Sequence, residues 1–176
     1  MDDVPAQPWR NGGGSTRELL VWPSAGDWTV RVSVAEIDRC GPFSAYPGVD
    51  RWFAVLSGAG VLLNDQPRRV QDDVLQFAGE AAPDCRLIDG PTQDFNLMHR
   101  RGRGRMSVVS AGAMLRARAR WLGLFTADGG VLVGPSGSHT LGPCTLAWLE
   151  APESMDCRFT AAGSARGNWW LMLEED

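Results

Sequence analysis

Short apolar runs, many alternating with polar residues and closed by Gly, Pro, Asn or Asp, recur along the whole chain. The candidates are TRELLVW, DWTVRVSVAEI, RWFAVLSGAGVLLN, DDVLQFAG, CRLID, DFNLMHRR, RMSVVSA, ARWLGLFTA, GGVLVG, CTLAWLEA, DCRFTA and NWWLMLEE. A two-residue period with turn signals at this spacing predicts strands and an all-β sandwich or barrel. Helical spacing is confined to AMLRARARW, the one stretch where a helix is expected.

The pattern also repeats. DDVLQFAGEAAPDCR (72–86) lies over CTLAWLEAPESMDCR (144–158) without a gap, aligning the Asp-Cys-Arg ends and the apolar positions upstream. Two related halves follow, an N-terminal barrel over 1–112 and a smaller C-terminal half over 113–176. Convergent polar residues concentrate in the first half, so a binding site is expected there.

Strand parity gathers those residues on faces. Arg51, Phe53, Val55 and Ser57 share one face, and Trp52, Ala54 and Leu56 the other. In DFNLMHRR, Asp94, Asn96 and Met98 oppose Phe95, Leu97 and His99, and Arg100 continues the polar parity. Arg31, Ser33 and Ala35 form a third such face opposite Val30, Val32 and Val34. Since the apolar face already supplies core, the polar face meets water or lines a cavity. Upstream, NGGGSTRE lacks the lysine and following helix of a phosphate loop, so its glycines read first as a turn. Beside a barrel mouth, Asn11 and Arg17 on that turn become a candidate lid over a bound anion.

Composition narrows the chemistry. All seventeen basic residues are arginine, which removes lysine Schiff-base chemistry and leaves guanidinium recognition of carboxylate or phosphate. The net charge of −4 argues against a general nucleic-acid binder, and RRGRGR (100–105) reads as a solvated hairpin, with an interaction module as its rival. His99 and His139 are the only histidines and fall in different halves, too few for an ordinary barrel metal centre. Four isolated cysteines, lacking any C-x-x-C, read as free thiols. No apolar run reaches membrane-spanning length and the start lacks a secretory pattern, so a cytoplasmic protein without membrane contact is expected.

PWRNGGGSTRE, DWTVRVSVAEI, GPFSAYPGVDR, FAGE and DGPTQDFNLMHRRG, in that order, resemble the signature segments of the HutD/Ves family. The resemblance runs from Pro8 to about Gly112 and continues more loosely beyond. It implies a bicupin, two small jelly-roll barrels in one chain, commonly a homodimer, associated with histidine utilisation. It also implies a small carboxylate ligand, such as formylglutamate, urocanate or formate, and no secure catalytic activity. Where a cupin places a metal-binding glutamate before its V-L-x-G turn, this chain has Arg51 ahead of VLSG (55–58), so neither metal nor other cofactor is expected.

The combined expectation is a metal-independent binder of a small organic acid. Arg51 takes the carboxylate in a bidentate grip, and Asn96, Asp94 and Ser33 read a polar end. Phe53, Phe77 and Met98 form walls, with Arg100 directed toward the same cavity. The alternative is a metal-independent isomerase or hydrolase with Asp94 as base.

Overall fold

The computed structural model describes residues 4–103, 105–150 and 154–174, and for 105–110 the backbone alone. In chain order the strands are β1 (Gln7–Pro8), β2 (Gly14–Trp22), β3 (Val30–Ile37), β4 (Gly41–Pro42), β5 (Val49–Ser57), β6 (Val61–Leu63), β7 (Gln66–Arg68), β8 (Leu75–Ala78), β9 (Asp84–Leu87) and β10 (Thr92–Arg100). They continue as β11 (Arg105–Ser110), β12 (Met114–Ala117), β13 (Trp121–Thr126), β14 (Gly130–Gly134), β15 (Gly137–Leu141), β16 (Thr145–Glu150), β17 (Met155–Ala161) and β18 (Asn168–Glu174). The helix expected in AMLRARARW is instead β12, a turn and the start of β13. Leu115 and Ala117 join a core cluster while Met114 stays exposed, a two-residue alternation that arginines in register had disguised.

Two compact units divide between Arg101 and Gly102. The boundary falls before Gly112 because β11 pairs along its whole length with β18, which binds Arg105–Ser110 to the second unit. In the first unit a six-stranded sheet, β1-β2-β3-β10-β5-β8, accompanies a four-stranded one, β4-β9-β6-β7. Ile37, Phe53 and Val55 from the first sheet pack with Val61, Leu63 and Cys85 from the second, so the core lies between the sheets, as in a jelly-roll barrel. The second unit has sheets β11-β18-β13-β16 and β12-β17-β14-β15. The orders correspond strand for strand, β3-β10-β5-β8 with β11-β18-β13-β16 and β4-β9-β6-β7 with β12-β17-β14-β15. The two stretches aligned in the sequence therefore occupy the same place in each unit: β8 with β9, and β16 with β17. The protein is all-β and a bicupin.

Register carries sequence parity into the barrel. On β10, Asn96 stands opposite Ser33 of β3 and Phe53 of β5, and Met98 stands between Arg31 and Arg51. An irregularity between Gln93 and Asp94 brings Asp94 opposite Val55 and Ala35. The polar sides of three neighbouring strands thus turn to the same face. The opposite face is buried too, with Val30, Val32, Val34, Phe95 and Leu97 at most 1% exposed.

Candidate functional site

The interior of the first barrel is organised around Arg51, only 6% exposed although cationic. Its Nε and Nη2 both donate to Asn96 Oδ1, at 2.9 and 2.5 Å. The guanidinium carbon lies 4.3 Å from the centre of the Phe43 ring and 5.5 Å from that of Phe77, so aromatic faces replace part of its lost hydration. Burial lowers its pKa to about 10, against an opposing pull from Asp94, and it remains charged at neutral pH. Because Asn96 is neutral, that charge is not cancelled by its hydrogen-bond partner. Asn96 occupies one edge of the fork; on the edge formed by Nη1 and Nη2, Nη1 makes no hydrogen bond among the described residues.

Asn96 also donates through Nδ2 to Asp94 Oδ1, forming the chain Arg51–Asn96–Asp94. Asp94 is 1% exposed, and its Oδ2 has no hydrogen-bond partner among the described residues. Burial pushes the carboxyl up to about 7, with Arg51 and the Asn96 hydrogen bond pulling the other way. Cys85 of β9 is also buried against this charge, and desolvation raises its thiol to about 12.

Above Arg51 opens a cavity of about 360 Å³, lined by both polar and apolar groups. Ser33, Arg51, Asn96 and Met98 line it from the sheet, and Trp9, Asn11, Phe43 and Tyr46 from the connecting segments. Arg31, also on the lining, donates to Tyr46 Oη at 3.2 Å and pairs with Glu18 at 2.7 Å. Its Nε is buried without a partner among the described residues. Trp9 Nε1 donates to Thr16 Oγ1 at 2.7 Å, holding β1 and its turn to the cavity rim.

The glycine run is a turn that delivers a cavity wall. Gly12 has φ +67°, and its amide donates to the Trp9 carbonyl at 3.0 Å; the Gly13 amide donates to Asn11 Oδ1 at 3.0 Å. At Gly14 a Cβ would come 2.0 Å from the Glu36 carbonyl oxygen, so the strand pair closes only around glycine.

Of the residues singled out in the sequence, Asn11, Ser33, Arg51, Asn96 and Met98 line the cavity. Phe53 lies in the core beside Phe43, ring centres 5.7 Å apart, and Phe77 flanks the guanidinium of Arg51. Asp94 does not line the cavity; it backs Asn96, whose amide orients Arg51 rather than standing free. Arg17 does not line it either: it opposes Val34 on the other face of the sheet, whereas Thr16 faces inward. Arg100, at the strand end, pairs with Asp27 at 2.9 Å and lies over Trp28. Within RRGRGR, Arg101 binds Glu80 and Asp50, while Gly104 and the Arg105 side chain lie outside the described residues. Not among the expected ligand contacts were Arg31, although the sequence places it on Ser33's face, and Tyr46, the only tyrosine in the chain.

The matching centre of the second barrel is apolar, although Thr126 and Asn168, buried and hydrogen-bonded to each other at 2.6 Å, continue the same inward faces toward one end. Leu122 and Leu124 of β13, Trp170 of β18 and Phe159 of β17 fill the centre, each 1% exposed or less. As for a metal, no group of three or more His, Cys, Asp or Glu that could hold one occurs among the described residues. In the first barrel a guanidinium, an amide and one carboxyl stand at the centre. That donor set does not fit a divalent ion, which the arginine would repel.

Fold and site define a bicupin whose first barrel holds a buried cation at the base of a small cavity. The family model for HutD matches residues 1–166, and the chain belongs to the HutD family. Among its relatives, the "Uncharacterized 21.2 kDa protein in hutC 3'region" of Pseudomonas putida is 35% identical over 145 residues, 77% of this chain and 75% of that protein. Protein Ves of Cronobacter sakazakii is 35% identical over 174 residues, 95% of this chain and 82% of Ves. The structure of HutD from Pseudomonas fluorescens, in a formate condition, superposes with TM-score 0.81 at 25% identity, covering 99% of this chain and 96% of that one. A Cupin 2 conserved barrel domain protein from Leptotrichia buccalis, 11% identical with TM-score 0.52 over 98% of this chain and 92% of that one, shares the fold.

Proposed function

We propose that the N-terminal barrel binds a small organic acid from histidine degradation and moderates that pathway without turnover, in a cytoplasmic homodimer. The observation that carries this reading is the Arg51 guanidinium, buried at the cavity, held by a neutral amide and left with one free donor edge. A carboxylate docked end-on across Nη1 and Nη2 would complete the cation's hydrogen bonding and balance its charge. Arg31, Tyr46 and Ser33 would then read the other end of the molecule. Turnover with Asp94 as base finds less support, because that carboxyl is separated from the cavity by Asn96.

A thermal-shift series with urocanate, N-formylglutamate, formate, glutamate and histidine tests the proposal, on the native protein and on Arg51→Ala. A ligand at a hundred times its dissociation constant contributes about 2.7 kcal/mol, a rise of roughly 5 to 10 °C for a chain of this size. Stabilisation by one acid, abolished in the variant, is the expected result. A shift that survives Arg51→Ala, or silence with all five compounds, refutes the reading.

A further inference from the structure

Asp94 has no part in a simple carboxylate grip, yet it is the most deeply buried acid described around the site. Its environment is incomplete in a specific way: Oδ1 accepts from Asn96, while Oδ2 has no donor among the described residues. Ionised, the group leaves a charged oxygen unsatisfied in an apolar interior; protonated, it leaves only a neutral hydroxyl there, a much smaller penalty. What favours the ionised form is the field of Arg51, relayed through an amide that turns its carbonyl to the cation and its NH2 to the carboxyl. An anion docked on the free edge of Arg51 weakens that field and adds a negative charge of its own.

We infer that this barrel takes up its anion together with a proton, the proton passing from solvent to Asp94 Oδ2 as the carboxylate settles on Arg51. The inference rests on the anion-binding reading above. It makes Asp94 a positioning residue that acts through Asn96 and Arg51 and sets the pH at which the acid is held. The pKa of about 7 puts the free carboxyl close to its midpoint at neutral pH, so docking has a protonation equilibrium to displace. Several other ionisable groups face this region. Arg51 titrates near 10 and the Cys85 thiol near 12, and Arg31 is ion-paired with Glu18. Tyr46, which accepts a hydrogen bond from Arg31, also stands within the field of Arg51. Ala35 and Val55, the cross-strand neighbours of Asp94, carry no charge, and His99 lies on the opposite face of β10.

Formate is the probe, because its own ionisation is complete above about pH 5.5 and the affinity then reports the protein alone. Its dissociation constant is measured by NMR titration from about pH 5.5 to 8.5 on the native protein and on Asp94→Asn, with proton uptake followed by indicator dye. The native constant should stay level below about pH 7 and weaken roughly thirtyfold by about pH 8.5, with uptake approaching one proton per formate. Asp94→Asn should bind with no such slope and no uptake. Carboxyl 13C shifts of native Asp94 with and without formate give a reading independent of the variant's folding, and the midpoint should rise on saturation. A level affinity with an unmoved midpoint overturns proton coupling and leaves the carboxylate site standing. No formate binding at any pH overturns the site and this inference together.

Discussion

Replacing Asp94 by asparagine should change how stability depends on pH, and the size of the effect follows from the site. Folding raises this carboxyl from an ordinary 3.8 to about 7, chiefly through burial. Between those values the folded chain keeps a proton that the unfolded chain releases, so stability declines as pH rises through the window and levels off above it. For one group with these two pKa values, the loss between about pH 5 and pH 8 is about 2 to 3 kcal/mol. At this chain length that corresponds to a fall of roughly 5 to 10 °C in melting temperature. The side-chain amide of the variant has no proton to release, so the contribution vanishes while other ionisable groups remain. The useful quantity is therefore the native-minus-variant difference, measured by scanning calorimetry at both pH values on the transition that the substitution moves. The native protein should lose ground to Asp94→Asn as pH rises. A difference that stays within about 1 °C would show that the buried carboxyl is solvated or paired far better than its environment indicates.

Gly14→Ala should destabilise the first barrel by about 1 to 3 kcal/mol or more, because its Cβ would come 2.0 Å from the Glu36 carbonyl oxygen; Gly13→Ala, which meets only the Asn11 side chain at 3.2 Å, should melt close to the native protein. Arg101→Ala removes the guanidinium that ties Asp50, Glu80 and the Val49 carbonyl together, leaving Gly48 joined to Glu80 through its amide and to the backbone amide of residue 101 through its carbonyl. Amide exchange over 43–50, which includes the Tyr46 cavity wall, should accelerate while the protection of β10 is retained; unchanged exchange would mean that the strand ladder alone holds this segment.

Much of the barrel was legible because strand periodicity survives burial. The alternation of Asp94, Asn96 and Met98 with Phe95, Leu97 and His99 gave both the strand and the division of its faces, and register aligned those faces with Arg31, Ser33 and Arg51. Parity fails where a strand ends or a neighbour competes. Arg100 keeps the inward parity of Met98 but lies at the strand terminus, where Asp27 and Trp28 take its guanidinium. Arg17 was drawn toward the cavity by its nearness to the glycine turn, although its neighbour Thr16 has the inward position. Tyr46 could not be assigned from alternation because it lies in a connecting segment, held by its amide to the Gly79 carbonyl at 2.9 Å. The role of Asn96 was missed for another reason: a sequence shows that an amide and a guanidinium share a face, but not that one occupies the other's donor edge.

The two barrels share an architecture and differ in the side chains at its centre. Eight strands follow the same order in both, and β5 and β10 of the first have β13 and β18 as their counterparts in the second. In the second barrel, Trp170 and its leucine neighbours fill that centre, so hydrophobic burial and close packing stabilise it directly. In the first, a buried guanidinium stands there, and replacing such a group with apolar side chains of similar volume is often neutral or stabilising. The arginine is therefore poorly explained by stability, because the same fold closes in the second unit without one. Phe43 and Phe77 at its faces and Asn96 at one edge lessen the cost of burying it, and the residue lines the cavity. On the anion-binding proposal, the cation is half of an interaction whose other half is an anion brought in from solution.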